Sequence, residues 1–226
     1  IVEVELEVRD SPQPVAAQNL DPLEACDDNQ TGDAVFDLTQ IRPDILANET
    51  NPADFTLTYY ASQADFNADN PINLPTAYPS NGMSQTIYVL VEGSSGCQDD
   101  TSFELIVNPL PTVTPPSPLE LCDVNNSGDE QEEFDLTDAT LDITGGDTSL
   151  LVSYYETQAG ANAGTGELTS PYENTVNNQT IYIRVEDSDT GCVVSEGFTL
   201  TLVVHPLPSP EIPDEPLEVC DVDNDG

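Results

Sequence analysis

The chain has 226 residues, of which 43 are Asp or Glu and three are Arg, giving a formal net charge of −40. No basic patch can form on such a surface, so nucleic acid is excluded as a partner and an anionic membrane is disfavoured. Cations are the favoured partners, and self-repulsion keeps a long chain of this charge soluble.

The first strand is expected at once. Val2, Val4, Leu6 and Val8 alternate with Glu3, Glu5 and Glu7, the period of a half-buried strand. A short phrase then opens at Pro22, reading Pro-Leu-Glu-Ala-Cys-Asp, and it recurs at Pro118 and Pro216. The starts lie 96 and 98 residues apart, so the chain is a segment of a tandem array. High charge with 19 prolines raises disorder as an alternative, but apolar alternation that repeats at the module period argues for folded units.

The remaining elements align between modules. Phe36-Asp-Leu-Thr39 matches Phe134-Asp-Leu-Thr137, and Leu57-Thr-Tyr-Tyr60 matches Val152-Ser-Tyr-Tyr155. The run from Gln85 to Glu92 matches that from Gln179 to Glu186, Cys97 matches Cys192, and the strand from Phe103 to Val107 matches that from Leu200 to Val204. Ile181, Ile183 and Val185 are expected inside, with Tyr182, Arg184 and Glu186 outside; Phe198, Leu200, Leu202 and Val204 form the next buried face. One solvated face per strand implies antiparallel sheets packed on one side, and two such sheets make a sandwich.

Short helices are expected over Thr39–Asn48 and Thr137–Ile143, each opened by a threonine cap, with Pro43 in the first turn. Single turns are expected over Ser62–Asn67 and Thr157–Asn162. In each Tyr-Tyr pair one ring should point in and one out. Proline-rich stretches, Pro109–Pro118 and Pro206–Pro216, read as semi-rigid extended spacers.

The expected fold class is therefore all-β: tandem Ig-like antiparallel β-sandwich modules with short helical turns and one disulfide each. The expected boundaries are a last strand and spacer of a preceding module over 1–17, modules over 18–114 and 115–213, and the start of a third over 214–226. The chain reads as cut from a longer protein.

Five cysteines are present, Cys26, Cys97, Cys122, Cys192 and Cys220. Pairing within modules, Cys26 with Cys97 and Cys122 with Cys192, is expected because both members are placed at the same end of a module. The rival pair, Cys97 with Cys122, is separated by a strand and a spacer, too far for a bond that needs Cα atoms within about 7 Å. Disulfides imply an oxidising compartment. Zinc is rejected, since there is no CxxC and a single histidine.

After each cysteine, oxygen-bearing side chains stand at alternate positions before a glycine. They are Asp27, Asn29, Thr31 and Asp33 around Gly32; Asp123, Asn125, Ser127 and Asp129 around Gly128; and Asp221, Asp223 and Asp225 before Gly226. This is the first half of a calcium-loop spacing, in which hard oxygen ligands converge and glycine allows the sharp turn. The bidentate glutamate expected at position 12 is missing: Leu38 and Phe134 stand there. The alternative is an Asx-turn closed by its own side chains.

No catalytic constellation stands out. His205 is the single histidine and its counterpart is Asn108. Carboxylates are too abundant for any pair to carry a signal, so no enzyme is expected.

The modules, read as PLExCD, FDLT, a Tyr-Tyr strand, QTIYVLVE or QTIYIRVE, Gly-Cys and a Pro-Leu-Pro spacer, resemble the repeats of giant cell-surface proteins of Bacteroidetes, above all the SprB-like gliding-motility adhesins exported by the type 9 secretion system. The resemblance implies an extracellular filament at the bacterial cell surface for attachment and gliding, touching neighbouring repeats of the same chain and a surface polysaccharide or substratum, without membrane insertion. Two other functions stay open: a glycan-binding module array with outward tyrosines as platforms, and a stalk that displays a distant enzyme domain.

Overall fold

Alternating aliphatic residues build the long strands of each repeat, and the computed structural model describes them over residues 11–209. The opening strand expected at Val2–Val8 and the loop at Asp221–Asp225 lie outside the described residues. The chain forms two compact units. One comprises residues 11–112 with 148–151 and 185–194; the other holds 113–147, 152–184 and 195–209.

In the first repeat, β1 (Leu23–Cys26) is followed by β2 (Val35–Phe36), α1 (Arg42–Ile45) and β3 (Phe55–Tyr60). Then come α2 (Gln63–Ala68), β4 (Tyr78–Pro79), β5 (Ser84–Gly93) and β6 (Gln98–Asn108). The sheet order is β1-β6-β5-β3, and β2 pairs with β4 in a separate ribbon. On β5 Ile87, Val89 and Val91 are fully buried, and on β6 Phe103, Leu105 and Val107 face the same way. Ile87 lies opposite Phe103, and Tyr59 of β3 opposite Val89. The core is closed from the other side by Phe36 of the ribbon and by Leu38, Ile41, Ile45 and Leu46 of the helical turns. A polar side chain in this layer is satisfied: the Thr101 hydroxyl donates to the Val15 carbonyl at 2.8 Å.

The second repeat follows the same plan with β7 (Leu119–Cys122), β8 (Glu133–Phe134), α3 (Thr140–Thr144), β9 (Leu150–Tyr155), α4 (Gln158–Ala163), β10 (Tyr172–Glu173), β11 (Gln179–Asp187), β12 (Val193–Val194) and β13 (Thr199–His205). Its sheet runs β12-β11-β13-β7 with β9 on β11, and β10 pairs with β8. Phe134, Leu136, Ile143, Ile181, Ile183, Leu200, Leu202 and Val204 are buried, as the alternation predicts, with Phe198 half-buried. These are tandem Ig-like β-sandwich units, mostly sheet with a few short helices.

Three expectations need correction. The sheets are not wholly antiparallel: β1 runs parallel to β6, and β7 parallel to β13. The first strand of each repeat therefore runs beside its last strand and points the same way. The helix caps are Asp37 and Asp135, not Thr39 and Thr137. Asp37 Oδ1 accepts from the Thr39 N–H at 3.0 Å and from its hydroxyl at 2.6 Å, and Asp135 treats Thr137 identically. A carboxylate two residues ahead satisfies an orphan N–H that the threonine cannot reach. Thirdly, both rings of each tyrosine pair are buried. The turns after the Tyr-Tyr strands do form as expected, over α2 and α4, capped by Ser62 and Thr157.

The spacers are pinned where they meet their repeats. The Val15 N–H donates to the Ile45 carbonyl at 2.9 Å, and the Thr114 N–H to the Ile143 carbonyl at 3.1 Å. Both bonds end on the corresponding isoleucines of α1 and α3.

Candidate functional site

The repeated phrase is a strand followed by an acidic turn, and the parallel pairing decides where it lies. Cys26 ends β1 opposite Asn108, the last residue of β6. Cys97 stands just ahead of Gln98, where β6 begins. Eleven residues of strand at ~3.3 Å each put Cys26 and Cys97 about 35 Å apart along β6, far beyond disulfide reach. Cys122 stands likewise opposite His205, with Cys192 thirteen residues back along the chain. Pairing within each module is therefore wrong in both repeats. The error lies in the direction of the first strand: running parallel to the last, it carries its cysteine to the far end of the sheet.

The bond that forms is Cys26–Cys192, with Cα atoms 5.6 Å apart and 166 residues between them in sequence. Cys192 is fully buried, and its Sγ lies 3.9 Å from the Asn108 carbonyl oxygen. The first cysteine of one repeat is thus joined to the second cysteine of the next. The rival Cys97–Cys122 bond is absent as well, and Cys122 is an exposed free thiol.

The two acidic turns differ. In the first, both carboxylate oxygens of Asp27 are used: Oδ1 accepts from the Thr31 N–H at 2.9 Å and Oδ2 from the Gly32 N–H at 3.1 Å. Asn29 Oδ1 accepts from the Thr31 N–H at 3.0 Å and from its hydroxyl, which also bonds Asp33. Gly32 sits at φ +80°, the left-handed region that glycine enters freely. Alternate oxygens here close an Asx-type turn.

In the second turn Asp123 is only 2% exposed, and Glu132 only 5%. Asp123 Oδ2 accepts from the Gly128 N–H at 2.6 Å. Glu132 accepts from the Val124 N–H, from the Asn125 N–H at 2.9 Å and from the Asn125 side-chain amide at 2.5 Å. Asp129 instead takes the Gln131 N–H and the Asn126 amide at the surface, and Ser127 is exposed. Glu132 was missed by the calcium-loop spacing. Its signal was a length difference, since Phe36 follows Cys26 by ten residues whereas Phe134 follows Cys122 by twelve. Among the described residues no group of three or more His, Cys, Asp or Glu is assembled as for a metal.

The tyrosines offer no open platform. Tyr60 is covered by Phe66 of α2 in an edge contact at 5.2 Å, and its hydroxyl donates to Asp69 at 3.0 Å. The Tyr155 hydroxyl donates to the Ser153 hydroxyl oxygen at 3.2 Å. Tyr59 is pushed up to about 12 by burial. His205 is exposed at the end of β13, its Nε2 3.0 Å from Glu120 Oε2, where Asn108 in the first repeat donates to Glu24 at 2.7 Å. His205 and Asn108 thus make the same surface pairing in the two repeats.

No helix among the described residues is long and apolar enough to cross a membrane. The bond between repeats persists only in an oxidising compartment, so these are domains of a secreted or extracellular multi-domain protein.

No curated protein matches the chain. Among solved structures, an I-band fragment of titin is similar at 12% identity over 67% of this chain and 56% of its own, with a TM-score of 0.27. The Bacteroides ovatus mixed-linkage glucan utilization locus protein SGBP-B, in complex with a mixed-linkage heptasaccharide, is similar at 12% identity over 86% of this chain and 48% of its own, with a TM-score of 0.25. Immunoglobulin domains 1–4 of Sidekick-1 are similar at 9% identity over 81% and 49%, with a TM-score of 0.24. The matches span about half the length of those structures, and at such TM-scores the likeness assigns no ligand or activity. The family model of the Flavobacterium inter-domain disulphide bond domain matches twice, over residues 22–111 and 118–208, each copy holding one half of the Cys26–Cys192 bond. The chain belongs to the Flavobacterium inter-domain disulphide bond domain family, in two tandem copies.

Proposed function

We propose that these repeats form the shaft of a long extracellular adhesin filament, serving surface attachment and gliding, and that their task is mechanical. The observation that carries this reading is the Cys26–Cys192 bond between consecutive repeats. A pull applied to the two ends passes along the chain to Cys26, across the bond, and out from Cys192. Residues 27–191 are bypassed and cannot be extended. Translated by one period, the same bond joins Cys122 to the second cysteine of a following repeat. Successive bonds then overlap, and every stretch of the shaft is shielded by at least one.

The bypassed segment has a readable length. At ~3.5 Å per residue, 165 residues would release about 580 Å on full extension. Single-molecule pulling of the oxidised chain should lack that increment, and reductant should restore it. Equal extension with and without reductant would remove the mechanical basis of the proposal. Antibody against the two repeats should decorate filaments outside the source cell, and label confined to the cytoplasm would overturn the shaft reading itself. The proposal assigns the repeats no catalytic step. A glycan-binding array loses its platforms, because Tyr60 and Tyr155 are 2% and 3% exposed.

A further inference from the structure

Two buried carboxylates, with no cationic partner among the described residues, stand in the second repeat's turn. Asp123 is 2% exposed and its Oδ1 has no hydrogen-bond partner, the single such buried side-chain atom among the described residues. Glu132, 5% exposed, turns its carboxylate onto the N–H groups of Val124 and Asn125, the two residues that follow Asp123 in the chain. Among the described residues, the hydrogen bonds to these two groups come from backbone N–H groups and the Asn125 amide. Burying a carboxylate is costly unless it is paired or coordinates a metal, and two in one turn repel each other as well.

The first repeat shows what the turn looks like without this problem. Ala34 stands where Glu132 does, as the matching bonds prove. The Ala34 N–H donates to the Ser80 hydroxyl and the Ser80 N–H to the Ala34 carbonyl; the Glu132 N–H donates to Asn174 Oδ1 and the Asn174 N–H to the Glu132 carbonyl. The Asp27 carboxylate there is half-exposed and uses both oxygens. The second repeat has two more residues in the turn, a glutamate for the alanine, and an orphaned aspartate oxygen.

We propose that the turn from Asp123 to Glu132 binds one divalent cation, calcium by its all-oxygen donors, with Asp123 Oδ1 and Glu132 as carboxylate ligands. Asn125 Oδ1, backbone carbonyls and water complete the shell. The carboxylate pair is thus Asp123 with Glu132; of the alternate positions only Asn125 joins it, while Ser127 is exposed and Asp129 is engaged at the surface. Two carboxylates place the affinity in the range of extracellular modules, at about 10⁻⁴–10⁻³ M. The site stands independently of the shaft reading.

The test is a calcium titration of the whole chain followed by amide NMR at fixed ionic strength, which reads each turn separately. The Asn125 and Gly128 amides should move saturably with half-saturation near millimolar calcium, while the Thr31 and Gly32 amides stay still. Asp123→Asn and Glu132→Gln should each raise the half-saturation point at least tenfold, in spectra whose dispersion shows a folded chain. Asp27→Asn should leave it unchanged. Absence of movement at tens of millimolar calcium, or equal movement in Asp123→Asn, overturns the site.

Discussion

Replacing Cys26 by serine tests the consequence of the inter-repeat bond most sharply. Closing a loop of 166 residues removes chain entropy from the unfolded state worth about 5 kcal/mol at 25 °C in the loop-closure account. That equals the whole stability of many small domains. Cys26 is half-buried, so serine adds little packing loss of its own. Reversible urea unfolding followed by circular dichroism should therefore show Cys26→Ser less stable by several kcal/mol. Cys122→Ser is the control. Its thiol is exposed and unbonded, so the change should stay within about 0.5 kcal/mol. Pairing within repeats predicts otherwise, since a Cys122–Cys192 bond closes a loop of 70 residues worth about 4 kcal/mol. Equal losses in Cys26→Ser and Cys122→Ser would refute the reasoning.

Leu105→Ala, at a fully buried position of β6, should cost about 2–5 kcal/mol in the same assay. Asp135 is held below the usual carboxylate range by the Thr137 hydroxyl, then the Ser170 hydroxyl and the Thr137 N–H. Its folded value is depressed, so its contribution is present above the ordinary carboxylate range and is lost as pH falls through the lowered one. Asp135→Asn should lower the urea midpoint at neutral pH and converge with the parent in acid; a constant gap contradicts the linkage. Tyr59 runs the opposite way. Its value rises from 10.0 to about 12, so the stability it gives is full below 10 and drains away as pH climbs towards 12. Ultraviolet titration should find Tyr59 among several phenols that ionise late, with Tyr60, Tyr154 and Tyr172, and Tyr59→Phe should take one ring out of that late phase.

Much of the sheet could be read from residues alone, because one property repeats along it. Ile181, Ile183 and Val185, or Leu200, Leu202 and Val204, declare a buried face whatever the rest of the chain does. The helical turns after each Tyr-Tyr strand were equally legible from Ser62 and Thr157, whose cap bonds are local. What stayed hidden was non-local. The direction in which β1 lies on β6 is set by pairing across some eighty residues, and Leu-Glu-Ala-Cys carries no local mark of parallel or antiparallel. That single missing fact reversed the disulfide assignment. The Tyr60 ring followed strand alternation correctly, but α2 covers the outer face as well, and alternation cannot foresee a covering helix. Glu132 lies outside every calcium-loop position, and only the two extra residues before Phe134 hinted at it.

Disulfide mapping under non-reducing conditions tests the central claim most directly, and the glutamate positions suit it. Cleavage after glutamate places Cys26 in residues 25–49, Cys97 in 93–104, Cys122 in 121–130 and Cys192 in 187–196, four separate peptides. Mass spectrometry of the digest should find 25–49 linked to 187–196, with 121–130 carrying a free thiol. A link between 25–49 and 93–104, or between 121–130 and 187–196, would show that each repeat closes on itself, and the chained shaft would have no covalent basis.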